Sequence, residues 1–165
     1  MTEWGKWQNI DEASSNEADR YGIYKIRILD KARSPIQMPR VGGPDNEGIV
    51  YIGRSGWSRA RSIAARIREF RTGEHSGRWE HSGRWTYDLM MEALRRARKR
   101  SHVPYSLQYR TMYLQQSEEE IRRLEVETLA SYFINYGELP PCNSSFPKWR
   151  EFEEVVHRQT RSRCQ

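Results

Sequence analysis

Two β-rich segments decide the fold of this chain. The first is Tyr21-Gly22-Ile23-Tyr24-Lys25-Ile26-Arg27-Ile28-Leu29, and the second is Ile49-Val50-Tyr51-Ile52-Gly53. Both are dominated by β-branched and aromatic residues, which favour strands. Residues 105–114 alternate an apolar or aromatic series with a more polar one, the first series being Tyr105, Leu107, Tyr109, Thr111 and Tyr113. The sequence therefore predicts three strands, with a Pro- and Gly-rich loop over residues 30–48 between the first two.

Helical patterns follow the strands. Ser58 is placed to cap a helix to about residue 71, whose apolar stripe contains Ile63, Ile67 and Phe70. A basic helix is predicted over residues 86–100, after the duplicated hexapeptide Glu-His-Ser-Gly-Arg-Trp of residues 74–85, which we expect to be irregular. Residues 117–120 match a capping box and open a helix to about residue 136. A last helix is predicted over residues 148–160. The predicted class is α+β, a small antiparallel three-stranded sheet flanked by helices.

Composition predicts one soluble domain. The 165 residues suit a single domain with its own hydrophobic core. We expect a core over 21–143, an N-terminal arm over 1–20, and a C-terminal helix and tail over 144–165. No run approaches the ~18 apolar residues of a membrane span, and the first residues do not resemble a secretory signal. Cys142 and Cys164 are too few for a disulfide framework. The expected location is cytoplasmic, with no membrane partner.

Positive charge is concentrated in the middle of the chain. The whole sequence carries 28 Lys and Arg against 22 Asp and Glu, a formal charge of +6. Residues 54–100 alone contain thirteen basic and five acidic residues, a local charge of +8. Arginine binds phosphate oxygens with a planar fork of donors, so this segment favours a polyanionic partner, although a solvated surface would have the same composition. The candidate phosphate-binding residues are Arg54, Arg61, Arg68, Arg95, Arg96, Arg98, Lys99 and Arg100.

Glu125 is the acid that stands out in the last long helix. At 100° per residue it falls within the apolar arc that contains Ile121, Leu124 and Leu129, whereas Glu127 lies on the opposite, solvated side. A carboxylate on a packing face costs several kcal/mol unless it is paired or binds a cation. Glu125 is therefore the candidate metal ligand, and a salt bridge to a nearby arginine is the alternative.

The order of these features resembles the GIY-YIG nuclease family. Gly22-Ile23-Tyr24 and Tyr51-Ile52-Gly53 lie on the first two predicted strands, and an arginine-bearing helix, a glutamate-bearing helix and the segment Pro140-Pro141-Cys142-Asn143 follow in the family's order. The resemblance covers residues 21–143. The long loop between the two tripeptides is most similar to the restriction-endonuclease branch.

The resemblance implies roles for five residues. Arg66 would contact the scissile phosphate, and Glu125 would bind one Mg²⁺ (or Mn²⁺) per active site. One of Tyr24 and Tyr51 would activate water while the other supports the site, and which tyrosine does which stays open. Asn143 would bridge the end of the glutamate helix to the site through hydrogen bonds, unless it is simply a turn residue.

One position departs from the family pattern. Many members have His or Tyr one turn after the arginine, and this chain has Phe70 there. Phenylalanine cannot accept a proton, so that part of a proton relay has to come from elsewhere. The candidates are His75, His81 and Tyr87.

The expected function is divalent-metal-dependent hydrolysis of phosphodiester bonds in double-stranded DNA. A sequence-specific type II restriction enzyme fits best, because little chain remains for a separate recognition domain. Cutting both strands would need a homodimer or sequential nicking. The alternatives are a catalytically inactive DNA-binding or regulatory module on the same fold, and a structure-specific nuclease of the repair or homing type.

Overall fold

A computed structural model describes residues 3–13, 20–73, 81–97, 105–114 and 117–163. These form an α+β fold with one antiparallel sheet, in the order β1-β4-β2-β3. The strands are β1 (Gln8–Asn9), β2 (Tyr21–Leu29), β3 (Ile49–Arg54) and β4 (Ser106–Leu114). The α-helices are α1 (Ile63–Thr72), α2 (Ser82–Ala97), α3 (Glu118–Tyr136) and α4 (Trp149–Arg163). None of these helices combines the length and apolar character needed to cross a bilayer.

The α+β class is confirmed, but the expectation of three strands is wrong by one. Residues 8 and 9 of the supposedly irregular arm form β1, which pairs Gln8 with Tyr109 and Asn9 with Gln108 of β4. The Tyr109 hydroxyl also donates to Gln8 Oε1 at 3.0 Å. A two-residue strand is too short to show alternation, so only its partner strand identifies it.

The two faces of the sheet are covered by different helices. Tyr24, Ile26 and Ile28 of β2 pack in one apolar cluster with residues of α1 and α2, including Ile63, Ile67, Phe70 and Tyr87. Ile49 and Ile52 of β3 pack in a second cluster with residues of α3 and α4, including Val126, Leu129, Phe152 and Val155. Because successive side chains of a strand point to opposite faces, one strand can present its residues to both layers. Tyr24 and Tyr51 both belong to the α1–α2 side.

Helix ends differ from the predictions where two cap residues compete. The N-cap of α1 is Ser62, whose hydroxyl accepts from the Ala65 amide at 3.3 Å, and Ser58 lies before a short 3₁₀ turn over Arg59–Arg61. The second copy of the hexapeptide is helical from Ser82, so its predicted irregularity is wrong, whereas the first copy lies outside the described residues. Ser117 caps α3 as predicted, accepting from the Glu120 amide at 3.2 Å.

Gly22 is required where β2 meets β4. Its φ is +152°, and a Cβ there would lie 2.0 Å from the Met112 carbonyl oxygen. The Gly22 amide donates to the buried Ser55 hydroxyl at 2.9 Å, and its carbonyl accepts from the Ser55 amide at the same distance. The start of β2 is therefore fixed to the segment that leaves β3.

Asp45 organises the loop between β2 and β3. Its carboxylate has no exposed surface and accepts from the amides of Glu47, Gly48 and Ile49. It also accepts from the Tyr132 hydroxyl of α3 at 2.9 Å. Four hydrogen bonds offset the cost of burying this charge, and they tie the loop to the helix that carries Glu125.

Replacement of Asp45 should destabilise the fold strongly. Asp45→Ala leaves several buried donors without an acceptor, and we expect the free energy of unfolding to fall by about 3 kcal/mol or more. Tyr132→Phe removes one donor and should cost about 1 kcal/mol. Urea unfolding of the two variants beside the wild type checks this expectation. If Asp45→Ala lowered the free energy of unfolding by no more than Tyr132→Phe does, the carboxylate would not organise the loop.

Candidate active site

Four of the candidate site residues lie close together near the end of β3. They are Tyr24, Tyr51, Arg66 and Glu125. In the β2–β3 register Tyr24 lies opposite Gly53, and the rings of Tyr24 and Tyr51 are 5.9 Å apart. Arg66 reaches this position from α1 and Glu125 from α3, and both are close enough to influence the ionisation of the two phenols. The cluster therefore combines side chains from β2, β3, α1 and α3, and the two helices lie on opposite faces of the sheet.

Glu125 is a largely enclosed carboxyl group held by one arginine. Its side chain is 21% exposed, and Oε2 lies 3.1 Å from Arg54 Nε. Burial raises the pKa of the Glu125 carboxyl to about 7, although the Arg54 and Arg66 guanidinium groups act in the opposite direction. The salt bridge considered as the alternative is thus present. Its effect on the pKa of Glu125 is smaller than the opposite effect of removing the carboxyl group from water.

Arg54 is shared between two acids of α3. Besides Glu125, it lies 3.5 Å from Glu118 Oε1, and its own side chain is 29% exposed. Arg54 was predicted to bind DNA phosphate. In the structure it bridges the first turn of α3 to the candidate metal ligand, and its contact with DNA stays a prediction.

Arg66 is held in place on its own helix. Its Nη1 donates to the carboxylate of Glu69, one turn along α1. The Arg66 side chain is 23% exposed, and its guanidinium favours the phenolate form of the neighbouring Tyr24 by charge and by hydrogen bonding. Glu69 was not singled out in the sequence, although its i,i+3 spacing from Arg66 is a signal that could have found it.

The two tyrosines are buried to different degrees. Tyr24 has no exposed surface, and Tyr51 is 9% exposed. Burial raises the pKa of Tyr24 to about 12, against the effect of Arg66. The pKa of Tyr51 is raised well above its ordinary value, first by burial and also by the charge of Tyr24 and hydrogen bonding to it. Neither phenol ionises by itself near neutral pH.

His81 is one of the three residues that the sequence offered for part of a proton relay. Its Nε2 lies 3.0 Å from the Tyr24 hydroxyl, and the residue is only 1% exposed. The imidazole packs edge-on against Tyr51 at 5.1 Å and against Phe70 at 5.2 Å between ring centroids. Phe70 thus supports the imidazole. Tyr87 also packs on Phe70, at 5.9 Å, and His75 lies outside the described residues.

Asn143 supports β3. Its Oδ1 accepts from the Ile52 amide at 3.0 Å, and its Nδ2 donates to the Ile52 carbonyl at 2.8 Å. The Cys142 amide donates to the Val50 carbonyl at 2.9 Å. The segment after α3 therefore fastens β3 on both sides of Tyr51. Both polar groups of the Asn143 side chain are used in this support.

Apart from Arg54, the predicted phosphate-binding residues fall into three groups. Arg95 and Arg96 are exposed on α2 and both pair with Glu92 at 2.7 Å. Arg61 and Arg68 are exposed, and neither has an acid within ion-pair distance in the described part of the chain. Arg98, Lys99 and Arg100 lie outside the described residues. Arg61 and Arg68 are therefore the candidate phosphate-binding residues that combine exposure with the lack of an acidic partner in this described part.

Glu127 differs from its prediction. It was expected on a solvated surface, but it faces α4, where it pairs with Arg158 at 2.9 Å with 31% of its side chain exposed. The sequence could not show that α4 packs on this side of α3. Glu127 nevertheless lies away from the cluster around Glu125.

Comparison with known proteins identifies no relative. No family model, no curated protein and no solved structure matches this chain. The chemistry of the site therefore has to be argued from its own residues.

The pKa of Glu125 has a consequence for stability. The native carboxyl keeps its proton up to about pH 7, whereas in the unfolded chain it loses the proton near 4.5. Between these values the native state binds more protons, so stability falls as pH rises. The difference from 4.5 to about 7 corresponds to an upper bound of roughly 3 kcal/mol.

Urea unfolding in chelator at pH 5 and pH 8 checks this expectation. The wild type should be less stable at pH 8, and Glu125→Gln should reduce the difference between the two pH values. Glu118→Gln is the matched control, because Glu118 contacts the same arginine but is 55% exposed. An unchanged pH difference in Glu125→Gln would show that this carboxyl ionises normally.

Proposed function

We propose that this protein is a metal-dependent endonuclease of the GIY-YIG type that hydrolyses phosphodiester bonds in double-stranded DNA. The observation that carries the proposal is the convergence of Glu125, Arg66 and two buried phenols at one end of β3. These residues come from four separate elements. Strand pairing explains why the phenols are neighbours, but it does not require a carboxyl and a guanidinium beside them.

The donor at Glu125 fits a hard divalent cation. Mg²⁺ prefers carboxylate oxygen and keeps several waters, so one protein ligand is sufficient. Glu125 supplies such an oxygen from a largely enclosed side chain at the centre of the cluster. When bound, Mg²⁺ or Mn²⁺ would supply Lewis-acid stabilisation of the negative charge on the reacting phosphate.

Arg66, Arg54 and Asn143 would have separate roles in binding the phosphate and supporting the site. Arg66, held by Glu69, would place a positive charge against the phosphate and stabilise the charge that develops there. Arg54 would exchange its contact with Glu125 for a DNA phosphate as the substrate binds. Asn143 holds the backbone of β3, so that Tyr51 stays in register beside Tyr24.

An inactive DNA-binding module is the second candidate. The ion pair between Arg54 and Glu125 favours it, because an arginine occupies the carboxylate that the enzyme would use for metal. Both candidates predict DNA binding. Only the first predicts strand cleavage that depends on metal and on Glu125.

Cleavage by matched glutamate variants separates the two candidates. With supercoiled plasmid and Mg²⁺, we expect Glu125→Gln to lose at least a hundredfold in single-turnover rate, because the ligand loses its charge while keeping its size. Glu127→Gln makes the same change two residues away and should cleave like the wild type. Chelator should abolish cleavage by both the wild type and this control.

Two results would overturn the proposal. Wild-type protein that cuts no DNA in Mg²⁺ or Mn²⁺, over a broad panel of sequences, would favour the binding module. Undiminished cleavage by Glu125→Gln would remove Glu125 as the metal ligand. Runoff sequencing of the cut ends would show whether cleavage is sequence-specific and staggered, as a type II restriction enzyme requires.

DNA affinity should depend steeply on salt. If Arg61 and Arg68 contact phosphates, the logarithm of the binding constant should fall linearly with the logarithm of salt concentration. Arg68→Gln should lower the magnitude of this slope by about one. Arg163→Gln, at the end of α4, is the control, because Arg163 is exposed and bonded to Asn135. A slope that does not change in Arg68→Gln would exclude this residue from the DNA contact.

A further inference from the structure

We infer that Tyr51, Tyr24 and His81 form a proton relay, in which Tyr51 meets the attacking water and His81 is the final acceptor. The inference rests on the proposed function and deepens it. It assigns an order to the two tyrosines, and it assigns the basic group to the residue that directly precedes α2.

Burial sets the direction of the relay. Tyr51 is 9% exposed, Tyr24 has no exposed surface, and His81 is 1% exposed. The ring of Tyr51 lies beside that of Tyr24 at 5.9 Å, and the Tyr24 hydroxyl lies 3.0 Å from His81 Nε2. Of the two tyrosines, Tyr51 alone retains exposed surface, and the Tyr24 hydroxyl is within hydrogen-bonding reach of both Tyr51 and His81 Nε2.

The chemistry of the three groups requires a base at the inner end. The pKa of Tyr24 is raised to about 12, and that of Tyr51 is also well above its ordinary value, so neither phenol loses a proton to solvent near neutral pH. A neutral imidazole with its proton on Nδ1 can accept a proton at Nε2. Transfer along the relay avoids a free phenolate.

The proposed reaction is a concerted hydrolysis of the phosphodiester bond. The water oxygen bonds to phosphorus, and the phosphorus bond to the leaving oxygen breaks, with its electron pair staying on that oxygen. The water gives a proton to Tyr51 Oη, Tyr51 gives its proton to Tyr24 Oη, and Tyr24 gives its proton to His81 Nε2. The imidazolium returns this proton to solvent after the reaction. His81 acts through the tyrosines and is therefore a positioning residue.

Groups from several elements surround the His81 imidazole. Tyr24 faces it from β2 and Tyr51 from β3, while α1 contributes the uncharged Phe70 and, through Tyr24, the charge of Arg66. On α2 itself, the Arg84 amide donates to the His81 carbonyl at 2.8 Å. Glu125 also ionises near pH 7, so a pH profile of the wild type alone would combine two groups.

The ratio of wild-type to His81→Gln rates isolates the imidazole. Glutamine can still accept the Tyr24 hydrogen bond, but it is not basic. In single-turnover cleavage of plasmid with Mg²⁺, we expect His81→Gln to be slower by a hundredfold or more at pH 8. The ratio should shrink toward acid pH, because a protonated wild-type imidazole cannot accept a proton, and Glu125 contributes equally to both rates. His157→Gln, on the exposed side of α4, should match the wild type.

Tyr24→Phe and NMR test the relay separately from folding. Tyr24→Phe breaks the relay with little change in packing, and it should be as slow as His81→Gln. In ¹⁵N NMR of the wild type at pH 8, the Nε2 of His81 should have the shift of an acceptor nitrogen. DNA affinity in chelator should stay within about twofold for both variants.

The outcomes distinguish the relay from the proposed function. An active wild type whose rate is matched by His81→Gln or Tyr24→Phe would overturn the relay and leave the nuclease in place. A proton on Nε2 in the NMR experiment would overturn the direction of transfer. A wild type that cleaves no DNA would overturn the proposed function and the relay together.

Discussion

The absence of a side chain at Gly53 is the constraint on which the site depends. Gly53 lies opposite Tyr24 in the β2–β3 pair, and a Cβ there would lie 2.5 Å from Tyr51 Cε1 and 2.9 Å from the Tyr24 hydroxyl. The two phenols can be neighbours because nothing projects between them. A register slip of one residue would turn Tyr24 to the other face of the sheet, so strand pairing and this glycine together fix both rings toward α1 and α2.

Burial decides the electrostatics of the site. Both arginines of the site already have an acidic partner, which is Glu125 for Arg54 and Glu69 for Arg66. Even so, the pKa of Glu125 is raised to about 7, which means that the attraction of the arginine is smaller than the cost of desolvation. A carboxyl in this condition is stabilised by any further positive charge that reaches it. This property supports the assignment of Glu125 to a divalent cation better than its helix position alone.

The sequence predicts elements well where one local signal dominates. The β-branched and aromatic run of β2, the alternation of β4 and the cap at Ser117 give boundaries within one residue, and the apolar arc of α3 identifies Glu125 as enclosed. It predicts poorly where tertiary contacts choose between equal local options. Ser58 and Ser62 are both acceptable caps, and the α1 helix begins at the second because the Ser62 hydroxyl binds the Ala65 amide. The arrangement of α4 against Glu127 has no local signal at all.

The duplicated hexapeptide contains two histidines that the sequence alone cannot tell apart, and packing distinguishes them. His75 and His81 stand in identical local contexts, so no periodicity could favour one of them. His81 meets Tyr51 edge-on, and Gly83 meets the same ring, since a Cβ at Gly83 would lie 2.5 Å from Tyr51 Cε2. One short segment thus contributes both an imidazole and the space that lets the ring approach. These two contacts hold the first turn of α2 against β3, which is why only the second copy of the hexapeptide can be placed in the site.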